Sequence, residues 1–195
     1  MFIIVSMKLT PRLDNALRIS ARAHRKQIRR GSNTPYIIHP FGVMFIASQY
    51  TDDEDVLVAC LLHDIIEDVP KEYSKEQMEK DFGERVVRLV LGVTKDSSIH
   101  DWKASCDAYL YNLEHLAPAE SAIIAVADKI HNIMSIITDY EKLGDDVWNL
   151  FSCDKQSQKW WFKSTYEVAE KRIPNNKILE YFDQYIEKIN KLIDS

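Results

Sequence analysis

Between Asn175 and Ile193 the apolar residues fall at Ile178, Phe182, Tyr185, Ile189 and Leu192, in alternating steps of four and three. That spacing lines one face of an α-helix and does not fit the two-residue period of a strand. The same helical periodicity runs through most of the chain. No Asn-Gly or Asp-Gly dipeptide marks a hairpin, and only five Gly and six Pro punctuate 195 residues. The expected fold is all-α. The last amphipathic helix should pack on the body of the protein, with a homo-oligomer contact through it as the alternative.

Local signals divide the chain. Thr10-Pro11 reads as an N-cap with Pro at the first helical position, and a helix is expected from there to about Arg30. Gly31 to Pro35 is a loop. His39-Pro40 leads into a second helix ending near Tyr50. Asp52-Asp53-Glu54 gives an acidic first turn to a third helix, running to about Val69 before Pro70 stops it. Ser74 with Gln77 resembles a capping box. Further helices are expected over 84–93, 102–116, 118–140 and 175–193, with a Trp/Phe-rich region from Trp148 to Phe162. No repeat, low-complexity segment or linker divides the chain. One domain over 8–195, with a helical extension from about 141, is the expectation.

Charge narrows the partners. The net charge is −5, which argues against a general nucleic-acid binder. Yet from Asn15 to Thr51 there is no Asp or Glu, while Arg18, Arg22, Arg25, Lys26, Arg29 and Arg30 fall there. One basic segment on an acidic protein suits a small anionic ligand; a solvated helix face is the plainer reading for most of the six. Cys60, Cys106 and Cys153 show no paired spacing and read as reduced thiols, Cys60 as a core thiol. The opening Met1–Val5 is too short for a signal h-region, and no apolar stretch reaches the ~20 residues of a membrane span. A cytoplasmic protein without membrane or nucleic-acid partners is expected.

The segment Leu61-Leu62-His63-Asp64-Ile65-Ile66-Glu67-Asp68 carries the chemistry. Two polar pairs interrupt an apolar run, and on a helix His63 would stack near Glu67 and Asp64 near Asp68. Buried carboxylates and an imidazole are costly unless compensated, and a divalent metal compensates them. Asp128 stands in the apolar run Ile124–Ile130, and His39 precedes Pro40. Alone, Asp128 could be half of a buried ion pair, His39 a structural histidine, and Glu67-Asp68 a solvated helix end. Together, two imidazoles and two carboxylates form a mixed N/O set that favours manganese or a similar dication over structural zinc.

These residues carry a resemblance. The order His39, His63-Asp64, Asp128 is similar to the HD-domain metal-dependent phosphohydrolases. Ala23-His24-x-x-Gln27-x-Arg29-Arg30, Pro35-Tyr36-Ile37-x-His39-Pro40, Leu62-His63-Asp64-x-x-Glu67-Asp68, Phe82-Gly83, Val93-Thr94-Lys95 and Ala127-Asp128-Lys129-x-His131-Asn132 resemble the hydrolase half of Rel/Spo-type stringent-response enzymes and their single-domain relatives. The likeness covers roughly residues 13–140; no synthetase-like half follows.

The resemblance implies an HD-domain helical bundle around one Mn²⁺. It implies hydrolysis of the 3′-pyrophosphate of ppGpp or pppGpp, giving GDP or GTP and pyrophosphate. His39, His63, Asp64 and Asp128 match the metal ligands, and Glu67 and Asp68 the acidic pair that handles the attacking water. Arg29, Arg30, Asn132 and Ser135 fall on the substrate side. Met134-Ser135 stand where the family often has Arg-Thr. An adenosine alarmone or a deoxynucleotide 5′-monophosphate is the competing substrate, and a non-catalytic nucleotide-binding regulator the competing class.

Overall fold

The computed structural model describes residues 8–195; the reading of Met1–Val5 lies outside them. The described residues form ten α-helices and no strand, only an isolated bridge between Ile28 and Pro35. The expected all-α class holds.

Helix α1 (Pro11–Ala23) starts as predicted, with Thr10 Oγ1 accepting the Leu13 N–H at 3.1 Å. It stops seven residues before Arg30, because the basic segment leaves the helix. Residues 24–35 instead fold back on themselves: Arg29 N–H donates to Thr34 O at 2.9 Å and Tyr36 N–H to Gln27 O at 3.1 Å. Gly31 makes the turn at φ +73°, and a Cβ there would lie 2.6 Å from Leu150. Arg29 and Arg30 are therefore loop residues.

Helix α2 (Ile38–Ala47) carries Pro40 in its first turn, where a missing N–H costs nothing. Helix α3 (Glu54–Leu62) is capped by Asp53, and every residue from Val56 to Leu62 is buried. The expected helix to Val69 is broken. His63 and Asp64 form a turn, and α4 (Ile65–Asp68) follows as one separate turn of helix. The capping box of Ser74 and Gln77 opens α5 (Lys75–Phe82) as predicted. Helices α6 (Glu84–Leu91) and α7 (Trp102–His115) follow, the latter capped by Asp101.

Helix α8 (Ser121–Leu143) is the axis of the bundle and packs against α2 and α3. After a 3-10 turn, Gly144–Leu150, come α9 (Lys155–Arg172) and α10 (Ile178–Ile193), both packed on α8. The expectation that no stretch reaches membrane-spanning length needs correction: α8 with its following turn is long and apolar enough by length and composition. Its apolar residues are the bundle core, from Ala122 to Ile136.

The C-terminal part is more than an appendage. Phe182, Ile178 and Ile189 have no exposed surface and share one core with Val58, Leu62 and Ile130. The amphipathic stripe on α10 is thus covered by its own chain, as the first expectation has it. Cys60 is a buried core thiol, and all three cysteines are free.

Candidate metal centre and cavity

Four helices converge on one point. His39 comes from the first turn of α2, His63 and Asp64 from the break between α3 and α4, and Asp128 from the middle of α8. Successive side chains on a continuous helix diverge by about 100°. His63 and Asp64, in the turn between α3 and α4, nevertheless meet, with His63 Nε2 3.1 Å from Asp64 Oδ1. His39 Nε2 lies 3.1 Å from Asp128 Oδ1 and 3.4 Å from Asp64 Oδ2. One atom each from His39, His63 and Asp128 fall within 4.8 Å of one another. Asp64 borders this trio and also accepts the Tyr36 hydroxyl at 2.7 Å.

The donor set fits a divalent cation. His63 Nδ1 is committed to Cys60 O at 2.8 Å, which turns Nε2 inward. That buried Nε2 has no hydrogen-bond partner although carboxylate oxygens surround it. An orphaned imidazole nitrogen facing two carboxylates is the arrangement a cation completes.

Electrostatics agree. Burial disfavours charge on His63, but Asp64 and then Asp128 outweigh it and raise its pKa to about 9. Burial pushes His39 down. Asp64 and Asp128 are also penalised by burial; His63 beside Asp64, and Lys129 beside Asp128, hold both below the ordinary carboxylate value.

Asp68 lies one helical turn after Asp64, as expected, its N–H donating to Asp64 O at 2.8 Å. Glu67 Oε2 accepts the Lys95 N–H at 2.8 Å, and Asp68 Oδ2 accepts the Gln27 amide at 3.3 Å. Burial raises the pKa of both carboxyls above their usual values. Both side chains remain solvent-exposed and also line the cavity at this site.

On the other side, Arg29 Nη2 donates to Asn132 Oδ1 at 3.1 Å and Ser135 Oγ at 3.3 Å. Its guanidinium lies over the Tyr36 ring, 5.5 Å from the centroid. Asn132 in turn donates to Asp128 Oδ1 at 2.7 Å. Asp128, Asn132 and Ser135 are spaced i, i+4, i+7 along one face of α8. Arg30 stands apart and donates to Leu150 O at 3.3 Å.

All ten sequence-predicted residues line one cavity of about 670 Å³, together with Trp161 and Phe162. Several further residues escaped the sequence reading. Tyr36, Lys129 and His131 lay inside the quoted motifs without being assigned roles. Trp161, in the Trp/Phe-rich region, is 6% exposed and packs in the core, yet it also lines the cavity.

The HD domain family model matches residues 16–155. The guanosine-3′,5′-bis(diphosphate) 3′-pyrophosphohydrolase of Haemophilus influenzae is 34% identical over 123 residues, covering 60% of this chain and 18% of that protein. The protein of the same name from Aquifex aeolicus is 26% identical over 206 aligned positions, 93% of this chain and 29% of its own length. The bifunctional (p)ppGpp synthase/hydrolase SpoT of Escherichia coli is 35% identical over 130 residues, 64% of this chain and 18% of its own length. The chain spans less than a third of the length of these curated relatives.

Among solved structures, a metazoan ortholog of SpoT reported to hydrolyse ppGpp superposes with a TM-score of 0.74 at 27% identity, covering 96% of this chain and 99% of that one. The lmo0812 protein of Listeria monocytogenes gives 0.66 at 26% identity, over 83% and 99%. The family match spans most of the chain and encloses every residue of the His/Asp centre, and the chain belongs to the HD domain family.

Proposed function

We propose that the protein is a manganese-dependent hydrolase that removes the 3′-pyrophosphate of guanosine tetra- or pentaphosphate. The observation that carries this reading is the sharing of one cavity by three sets of groups: the His/Asp centre, the acidic pair Glu67–Asp68 and the Arg29–Asn132–Ser135 cluster. A nucleotidase acting on a monophosphate has no evident use for the third set beside the first two. The activities for which the bacterial relatives and the metazoan ortholog are named point the same way.

A dication held by His39, His63, Asp64 and Asp128 would supply positive charge that acidifies water and offsets charge on the phosphoryl group. The remaining work falls to the chain. Glu67 has one oxygen occupied by the Lys95 N–H and the other available to take a proton. Its raised pKa suits a general base better than the ordinary carboxylate value. Asp68, steadied by Gln27, orients the water. Arg29 offers a planar fork to phosphate oxygens, and Asn132 and Ser135 hold that fork in place. The water oxygen bonds to the phosphorus next to the ribose, the bond to the 3′ oxygen breaks, and that oxygen takes a proton. The products are GDP or GTP and pyrophosphate.

The test is a product assay with manganese on guanosine and adenosine 3′-pyrophosphates and on deoxynucleotide monophosphates. Pyrophosphate release from ppGpp is expected. Glu67→Gln should lower turnover by about 10²–10⁴ while metal content persists. Inertness toward every 3′-pyrophosphate, with inorganic phosphate released from deoxynucleotide monophosphates, would replace this reading with a 5′-nucleotidase.

A further inference from the structure

The cavity has a second cationic end, built partly by α9. Lys95 Nζ and Lys129 Nζ each lie 5.0 Å from the centroid of the Trp161 ring. Lys129 also approaches the Tyr109 ring, at 5.4 Å. All four side chains line the cavity. Asp128 divides the two ends: Oδ1 accepts from Asn132 at 2.7 Å, on the Arg29 side, and Oδ2 accepts from Lys129 at 2.5 Å. Lys129 follows Asp128 on α8, so it points about 100° away from the Asp128–Asn132–Ser135 face.

The two lysines are unequal. Lys129 is buried, at 7% exposed, and paired with Asp128. Lys95 forms no ion pair among the described residues; its polar side-chain contact is Cys106 Sγ at 3.7 Å. Two ammonium groups around one indole repel each other in a low-dielectric wall. The ring face offsets part of that cost, and an anion placed between them would offset more. Lys95 is also anchored beside the acidic pair through its own N–H on Glu67.

We infer that Lys95 and Lys129, propped by Trp161, form an anion subsite for the pyrophosphoryl group that is transferred to water. The inference rests on the reaction proposed above and adds where that group binds. A nucleoside with phosphates at both its 5′ and 3′ positions carries two polyanions, and the cavity offers two cationic ends with the His/Asp centre between them. The Arg29 end takes the nucleotide that is released with a free 3′ hydroxyl. The Lys95–Lys129 end takes the pyrophosphate. Trp161 is a positioning residue, which gives the C-terminal helices a part in the site.

The experiment is equilibrium dialysis of inorganic pyrophosphate, and separately of GDP, against the intact protein at saturating manganese. Lys95→Met keeps the alkyl stem on Trp161 and removes the charge. Pyrophosphate affinity should fall about tenfold or more, the loss of one charge-assisted hydrogen bond, and GDP affinity should hold within about twofold. Trp161→Leu should weaken pyrophosphate in the same direction, and Trp161→Phe, which keeps an aromatic face, should restore most of it. Pyrophosphate binding unchanged in Lys95→Met, equal losses for both ligands, or no pyrophosphate binding by the unaltered protein would overturn the subsite. Lys95-dependent pyrophosphate binding in a protein inert toward 3′-pyrophosphates would keep the subsite and remove the proposed reaction. Turnover of ppGpp with pyrophosphate binding indifferent to Lys95 would do the reverse.

Discussion

The Nδ1 atoms of His39 and His131 lie 3.0 Å apart. Only one of two such nitrogens can carry the proton. Burial, then His39 and Arg29, push the pKa of His131 down to about 3, so its ring is neutral and can accept. With His39 Nδ1–H donating, His39 Nε2 keeps its lone pair turned toward Asp64 and Asp128. The contact depends on Gly42, where a Cβ would fall 2.2 Å from the His131 ring.

Removing that support should loosen the centre without removing a ligand. His131→Ala is expected to weaken manganese binding about 10- to 100-fold, the usual effect of losing a ligand's hydrogen-bond partner. Gly42→Ala should do the same by displacing the ring. Titration of metal into stripped protein checks both, and an affinity within twofold of the original would show that His39 needs no such partner.

Metal binding should release a proton. In the metal-free protein His63 titrates near pH 9, while His39 is held neutral by its burial. A cation requires neutral imidazoles, so at pH 7 about one proton leaves, from His63. Apparent affinity should fall roughly tenfold for each pH unit below 9 until other ligands protonate. The sign for stability is opposite. A raised histidine pKa stabilises the metal-free fold fully below its ordinary 6.5, and that contribution is lost as pH rises through 9. Calorimetry in two buffers of different ionisation enthalpy measures the proton count; none released at pH 7 would contradict the assignment.

Arg29→Ala should raise the KM for a 3′-pyrophosphate substrate about tenfold or more, since a hydrogen bond to a charged group contributes about 1.5–3 kcal/mol. Thermal stability should change little, as for most partly exposed arginines. Arg29→Lys should not restore KM, because a point charge does not replace a planar fork. Unchanged KM with a lower unfolding temperature would make Arg29 a structural residue.

Phe182→Ala tests whether α10 belongs to the core. The ring has no exposed surface and belongs to the same core as Val58, Leu62 and Ile130. Truncation should cost about 3–5 kcal/mol in denaturant unfolding, in one transition shared with the rest of the chain. A separate early transition for α9 and α10 would make them an independent extension.

Much of this protein is determined by its sequence alone. The helical class follows from spacing and caps, because Thr10 and Ser74 act on backbone N–H groups three residues away. The quoted motifs, by their resemblance, mark the residues of the centre, since adjacent polar residues in apolar runs at 39, 63–64 and 128 must be compensated somewhere. The tertiary structure decided what compensates them and how they face one another. Nothing local marks the turn after Leu62, where a continuous helix is equally well patterned, nor the contact of Asp64 with Tyr36, 28 residues earlier. Arg29 meets Asn132 across 103 residues, and Lys95 meets Trp161 only because α9 folds back along α8. Spacing encodes what happens within a few turns of chain. Which side chains share one cavity depends on packing between helices, and no single helix contains that information.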